Sequence, residues 1–114
     1  MAKMPMEFDE PINTSGVTFT ADTSKINTVT FASKKKNDVI YANLTFKTNS
    51  SITSGTEIKI GSLVGIPAEI ITGIIGSAHT KQIGSFYIAN DGNLYVYYTE
   101  SAANAWSYIN FCCI

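Results

Sequence analysis

Hydrophobic and polar residues alternate along two stretches of the chain, and this period of two predicts a β-strand in each. Along residues 39–47, the predicted core positions are Ile40, Ala42, Leu44 and Phe46. Along residues 94–99, the predicted core positions are Leu94, Val96 and Tyr98. The side chains between them then face solvent or a neighbouring molecule, so each strand has one buried face.

Six further stretches are rich in β-branched and aromatic residues and are bounded by turn residues. Strands are therefore predicted at residues 17–20, 26–31, 57–60, 68–75, 83–89 and 106–114. Turn signals recur about every 8–12 residues, which is typical of a sandwich or barrel. We predict an all-β antiparallel sandwich over residues 17–114, behind an N-terminal arm formed by residues 1–16. An immunoglobulin-like sandwich is the alternative topology.

Two segments require a choice between alternatives. Residues 68–75 have apolar spacing that a helix could use, but their isoleucines and Gly73 favour a strand that is buried on both faces. Residues 34–38 read Lys-Lys-Lys-Asn-Asp. A short basic run is usually solvated, so these residues are predicted to form a polar loop.

The clearest turn signal is Asn-Asp-Gly-Asn at residues 90–93, between two strands that are rich in aromatic residues. Asp-Gly favours a hairpin turn, so Gly92 is predicted to take a positive φ, with Asn93 as a second candidate. The alternation of the second strand turns Tyr95 and Tyr97 outward. These tyrosines either pack against a neighbouring strand or subunit, or form a stacking platform for sugar rings and other flat ligands.

The chain carries few charges. Charged residues make up 15% of its 114 residues, below the ~25% usual for soluble domains, and the formal net charge is -1. Every basic residue is a lysine, so the bidentate guanidinium that often reads phosphate or guanine is missing. This composition favours neither nucleic acid nor an acidic membrane surface as a partner. It favours burial against further copies of the same chain.

No stretch approaches the ~18 consecutive apolar residues of a membrane helix, and the first residues lack the apolar core of a signal peptide. The two cysteines, Cys112 and Cys113, are adjacent, and neighbouring cysteines rarely bridge each other. One buried thiol and one partly exposed thiol are therefore expected. With no disulfide framework, synthesis in a reducing cytoplasm fits the sequence best.

Few residues offer catalytic chemistry. His79 is the single histidine, so neither a metal site nor a Ser-His pair has an obvious second member. Residues 61–65 contain two glycines without a following Lys-Ser/Thr, so they do not form a phosphate loop. No spacing predicts an acid–base pair among the carboxylates Glu57, Glu69, Asp91 and Glu100. We interpret the protein as non-enzymatic, with no metal and no cofactor.

From residue 37 onward, the order of features resembles a known family. A strand leads into "SSITSGTEIKIGSLVGIP", an apolar strand follows, and "GSFYIANDGNLYVYY" leads to an aromatic closing strand. This order is similar to that of the C-terminal head modules of tail fibre, baseplate and minor structural proteins of phages that infect Gram-positive bacteria. The matching positions are Ile58, Ile60, Leu63, Pro67, Gly84, Ile88, Asp91, Gly92, Leu94, Val96 and Tyr108. The family usually has Arg before the proline, whereas this chain has Ile66.

The resemblance implies a jelly-roll-like antiparallel β-sandwich that forms a homotrimer in the virion tail, next to other tail proteins. It also implies binding to saccharide on the host cell surface, without identifying the residues that touch the sugar. A trimer that buries one sheet face of each subunit agrees with the low charge of the chain, and three weak sites held together would give avidity. Tyr41, Tyr97 and residues 108–114 are the interface candidates.

The candidate saccharide site consists of Asp91, Asn93, Tyr95 and Trp106. The turn and its neighbours lie where loops gather at one end of the sandwich, and Trp106 begins a strand that could lie alongside. In the alternative, the turn has no binding role, and Tyr95 and Trp106 are buried against other chains. The expected function is a non-catalytic host-attachment module. The other candidates are a purely structural tail or capsid-decorating protein and, with less support, a small glycan-modifying enzyme.

Overall fold

The computed structural model describes residues 16–49, 55–67, 69–77, 82–99 and 106–113. The predictions for the N-terminal arm and for His79 concern residues outside these ranges. Within them the backbone forms eight strands, which are β1 (Thr18–Ala21), β2 (Ile26–Lys36), β3 (Val39–Thr48), β4 (Glu57–Val64), β5 (Ile71–Ser77), β6 (Gln82–Ile88), β7 (Asn93–Tyr98) and β8 (Trp106–Cys113). No helix among these residues has the length and apolar character needed to cross a bilayer.

The eight strands form one antiparallel sheet in the order β1-β4-β7-β6-β5-β8-β3-β2. The two edge strands, β1 and β2, follow each other in the chain and are joined by a short turn. In that turn the Asp22 amide donates to the Ile60 carbonyl at 2.8 Å. The rings of Phe19 on β1 and Phe31 on β2 lie 6.0 Å apart between centroids. The sheet therefore curls into a nearly closed, sandwich-like barrel, and the predicted all-β antiparallel class is confirmed.

The interior of the barrel holds one continuous core. The predicted core positions of β3 and β7 are all buried, so the alternation along both strands is confirmed. Strands β2 to β8 each contribute at least one of the fully buried side chains Ile26, Leu44, Phe46, Ile60, Ile75, Ile88, Leu94, Val96, Tyr98 and Ile109. Each large apolar side chain removed from water stabilises the fold by about 1.5–3 kcal/mol before entropy is counted, so this core supplies most of the driving force.

Strand β5 differs from its prediction. Ile71 and Ile75 are buried, but Ile74 is 61% exposed, and Ile70 just before the strand is 68% exposed. The prediction of two buried faces is wrong, because β5 is covered only from the interior of the barrel. Its outer face has no second layer among the described residues, so an apolar run here reflects one buried and one exposed face.

The basic run also differs from its prediction. Lys34, Lys35 and Lys36 form the end of β2, and the predicted loop is reduced to a turn at Asn37 and Asp38. Both turn residues have positive φ, 54° and 67°, which is the backbone of the tight hairpin turn that suits the twist of two strands. The three lysines are exposed, as expected for a basic run, but they are paired with β3 rather than irregular.

The β6–β7 hairpin agrees with the turn signal. The Gly92 amide donates to the Ala89 carbonyl at 2.8 Å, and the Ala89 amide donates to the Asn93 carbonyl at 2.9 Å. Gly92 has a φ of 92°, so its predicted positive φ is confirmed. Asn93 does not share it and begins β7 instead, so that second candidate is wrong. The connection is a short loop that ends in a left-handed glycine, a common hairpin type.

Candidate functional site

The register of the β6–β7 hairpin places two tyrosines side by side on the outer face of the sheet. Tyr87 on β6 is paired with Tyr95 on β7, and their rings are stacked with centroids 4.9 Å apart and planes 20° apart. Both side chains are half-buried. The stack holds each ring in a fixed orientation, so a ligand would meet a preformed aromatic surface rather than two mobile side chains.

A shallow concavity of about 500 Å³ surrounds this stack on the outer face of β4, β7, β6 and β5. We call it the tyrosine groove. The outward side chains that line it are Glu57, Thr72, Ile74, Ser85, Tyr87, Tyr95 and Tyr97. Two rows of cross-strand neighbours build the groove. Tyr97 lies between Glu57 and Ser85 in one row, and Tyr87 lies between Tyr95 and Thr72 in the other.

Glu57 gives the groove a fixed negative charge. Burial raises the pKa of the Tyr87 phenol, and the hydrogen bond from this phenol to the Glu57 carboxylate raises it further. The charges of Glu57 and Asp91 act in the same direction. The Tyr87 phenol therefore acts as a hydrogen-bond donor towards the Glu57 carboxylate at neutral pH. The groove combines aromatic faces, a carboxylate and the hydroxyls of Thr72 and Ser85.

Asp91 and Asn93 are joined by two hydrogen bonds at the end of the hairpin. Asp91 Oδ1 accepts a hydrogen bond from the Asn93 amide at 3.0 Å, and Asp91 Oδ2 accepts one from Asn93 Nδ2 at 3.1 Å. Such side-chain-to-backbone bonds stabilise a turn. Asn93 lies on the same face of β7 as Tyr95, so these two predicted residues are brought together with Asp91. The direct role that the structure gives the Asp91–Asn93 pair is to hold the turn.

Trp106 lies at the other end of the sheet. Its strand, β8, is separated from β7 by β6 and β5. The register aligns the start of β8 with the end of β7, so Trp106 is close in height to Tyr98 and not to Asn93. By these registers about eight strand residues separate Trp106 from Asn93, roughly 26 Å along the strands. The structure therefore does not bring Trp106 to the other three predicted residues. It lies 38% exposed beside Lys47.

The described residues contain no group of three or more His, Cys, Asp or Glu that could hold a metal ion. Cys112 is exposed and Cys113 is buried, both with free thiols, which confirms the predicted difference between the two. Burial raises the pKa of the Cys113 thiol, so this sulfur is the less reactive of the pair.

Sequence reasoning missed most of the groove. It identified Tyr95 and turned Tyr97 outward, but it did not single out Tyr87, Thr72 or Ser85, and it considered Glu57 only as one of several scattered carboxylates. The position of Tyr87 could have been predicted, because the hairpin register about the turn sets it opposite Tyr95. The position of Glu57 could not have been predicted, because the pairing of β4 with β7 joins segments that are far apart in the chain.

Comparisons with known proteins identify no relative. A scan against protein-family models, a search of curated proteins and a search of solved structures each give no match.

Proposed function

We propose that this protein is a non-catalytic saccharide-binding module that attaches a phage tail or related particle to the surface of its bacterial host. The observation that carries the proposal is the tyrosine groove, in which the stacked Tyr87–Tyr95 pair lies next to Tyr97 and Glu57. Sugar rings have apolar faces that stack on aromatic rings and hydroxyl edges that need polar partners, and a groove with both features meets the two needs at once.

The polar partners are suitably placed for this chemistry. Thr72 and Ser85 supply hydroxyls that donate and accept, and Glu57 supplies two acceptor oxygens. The groove is open and shallow, which suits one or two units of a longer saccharide rather than an enclosed small molecule. A single site of this kind binds weakly, so attachment to a cell would depend on several copies acting together.

The phage setting rests on the sequence resemblance to tail-fibre and baseplate head modules. We propose on the same basis that the barrel has a jelly-roll-like topology. The pairings of β4 with β7 and of β3 with β8 support it, since both join strands that are not consecutive in the chain.

We also propose a homotrimer. The outer face of β3 and β8 carries three exposed aromatic side chains, Tyr41, Trp106 and Tyr108. Aromatic residues are enriched in subunit interfaces. Sedimentation equilibrium at micromolar concentration tests this point. A trimer mass for the parent supports the assembly, and a monomer mass contradicts it.

The binding function is tested with Tyr95→Ala and Tyr97→Ala, using Val64→Ala as the control, since Val64 is an exposed apolar side chain outside both the groove and the proposed interface. Binding to host cells and to a glycan array is measured for each variant, after circular dichroism and sedimentation show an unchanged fold and mass. We expect the two groove variants to lose binding and the control to keep it. Retained binding by both groove variants contradicts the proposed site. Failure of the parent to bind any glycan or host cell favours the purely structural alternative.

A further inference from the structure

In the part of the chain that the structure describes, the charges that act on the Tyr87 phenol of the tyrosine groove are negative. Glu57 lines the groove, and Asp91 is near enough to disfavour ionisation of the Tyr87 phenol. No lysine is among the described residues that line it. A ligand entering the groove therefore meets a carboxylate and ring faces, with Lys59 at the edge of the groove beside Tyr95.

Lys59 is the basic residue next to the groove, since it is paired with Tyr95 across β4 and β7. Its charge acts on the turn between β1 and β2. There, hydrogen bonds to Ser24 lower the pKa of Asp22, and the ammonium groups of Lys25 and Lys59 lower it further. Lys59 therefore lies at the edge of the groove and also acts on the β1–β2 turn, whereas Glu57 lines the groove itself.

Aromatic faces and a carboxylate together suit a cation. The face of a tyrosine ring is electron-rich and attracts an ammonium group placed over it. Tyr97 is the direct cross-strand neighbour of Glu57, and its side chain is 43% exposed. One ligand can therefore contact both the Tyr97 ring and the Glu57 carboxylate. The Tyr87 phenol acts on the same carboxylate, so the stacked pair and Glu57 belong to one site.

Building on the saccharide-binding function proposed above, we propose that the tyrosine groove selects saccharides that carry a protonated amino group. The ammonium group would bind the Glu57 carboxylate next to the ring face of Tyr97, while the sugar ring stacks on the Tyr87–Tyr95 pair. An anionic sugar would instead be repelled by Glu57. A neutral sugar would bury part of the carboxylate without supplying a cation to replace its water.

The experiment is a titration of the isotope-labelled full chain, followed by protein NMR at a mildly acidic pH where a sugar amine is protonated. The probes are glucosamine, N-acetylglucosamine and glucuronic acid, which are cationic, neutral and anionic. We expect shifts at the groove residues and about ten-fold tighter binding of glucosamine than of N-acetylglucosamine, because hydrogen bonds between charged partners are the stronger ones. Glucuronic acid should bind most weakly.

Two variants make the test specific. Glu57→Gln keeps the shape of the side chain and removes its charge, and it should lower glucosamine affinity about ten-fold, to that of N-acetylglucosamine. Asp38→Asn makes the same change of charge in the β2–β3 turn, outside the groove, and should leave all three affinities unchanged. Because Glu57 and Asp38 are both exposed, neither change should unfold the protein.

The outcomes separate this inference from the function on which it depends. If the neutral or anionic sugar binds the groove as tightly as glucosamine, or if Glu57→Gln has no effect, the amine preference is overturned while saccharide binding stands. If none of the three sugars shifts the groove residues, the amine preference is overturned and the proposed function is weakened with it.

Discussion

The Tyr98 hydroxyl lies 3.0 Å from Ser107 Oγ, and both side chains are fully buried. Tyr98 ends β7 and Ser107 lies near the start of β8, two strands that are separated in the sheet by β6 and β5. This hydrogen bond therefore crosses the interior of the barrel and connects strands that share no backbone ladder. It is a polar contact buried next to the apolar core, so removing one partner leaves the other without this hydrogen bond.

Replacing Tyr98 by Phe should lower the free energy of unfolding by about 1–3 kcal/mol, because Ser107 Oγ then stays buried without its partner. Tyr97→Phe is the matched control, since Tyr97 is exposed on the same strand and its variant should stay within about 0.5 kcal/mol of the parent. Urea unfolding followed by circular dichroism measures both. Equal stability of the two variants would show that the buried bond contributes nothing.

The same residue predicts a loss of stability at alkaline pH. Burial raises the pKa of Tyr98 from 10.0 to about 12, while the bond to Ser107 acts in the opposite direction. Because the folded-state pKa is the higher one, this contribution is complete below pH 10 and disappears as the pH rises towards 12. The parent should lose about 2–3 kcal/mol over this window that Tyr98→Phe does not lose. Parallel pH-dependent loss in both proteins would contradict the assignment, since the other tyrosines and the lysines titrate in each.

Three glycines offer a graded test of the backbone. Gly92 has a φ of 92°, and a Cβ there would overlap the Leu63 carbonyl oxygen. Gly55 has a φ of 75° with open space around it, and Gly76 has open space and no positive φ. We expect Gly92→Ala to cost roughly 2–4 kcal/mol, Gly55→Ala about 1, and Gly76→Ala close to nothing. Melting temperatures that do not follow this order would contradict the geometry of the β6–β7 turn.

Much of this fold was readable from the sequence because alternation reports burial directly. The inward sets of β3 and β7 and the left-handed Gly92 follow from local pattern and turn chemistry alone. The failures have different physical causes. Whether the outer face of β5 is covered depends on long-range packing, which short-range pattern does not contain. The lysines of β2 join the ladder for a local reason, because the turn at Asn37 and Asp38 is only two residues long.

The candidate site was partly readable for the same reason. Tyr95 could be placed outward from its own strand, but its stacking on Tyr87 depends on the exact length of the hairpin loop, since a shift of one residue would turn Tyr87 to the other face. Glu57 reaches the groove through the non-local pairing of β4 with β7. Trp106 was misplaced because β8 inserts between β5 and β3 rather than next to β7.

Closure of the barrel gives the last prediction. Phe19 and Phe31 lie on the two edge strands, with ring centroids 6.0 Å apart and planes inclined by 33°, and both rings pack against the buried core. No ladder joins β1 to β2, so this aromatic contact helps to hold the edges together. In a double-mutant cycle with Phe19→Leu and Phe31→Leu, the coupling energy should be about 0.5–1.5 kcal/mol.

The matched control for this cycle pairs Phe19→Leu with Phe111→Leu. Phe111 also packs against the core, but its ring contacts Phe86, 6.5 Å away, rather than Phe19. The effects of these two substitutions on the free energy of unfolding should therefore add, with a coupling energy near zero. Coupling of similar size in both cycles would mean that Phe19 acts through the general packing of the core. In that case the edges of the sheet are held together by the turn at Asp22 and not by the Phe19–Phe31 contact.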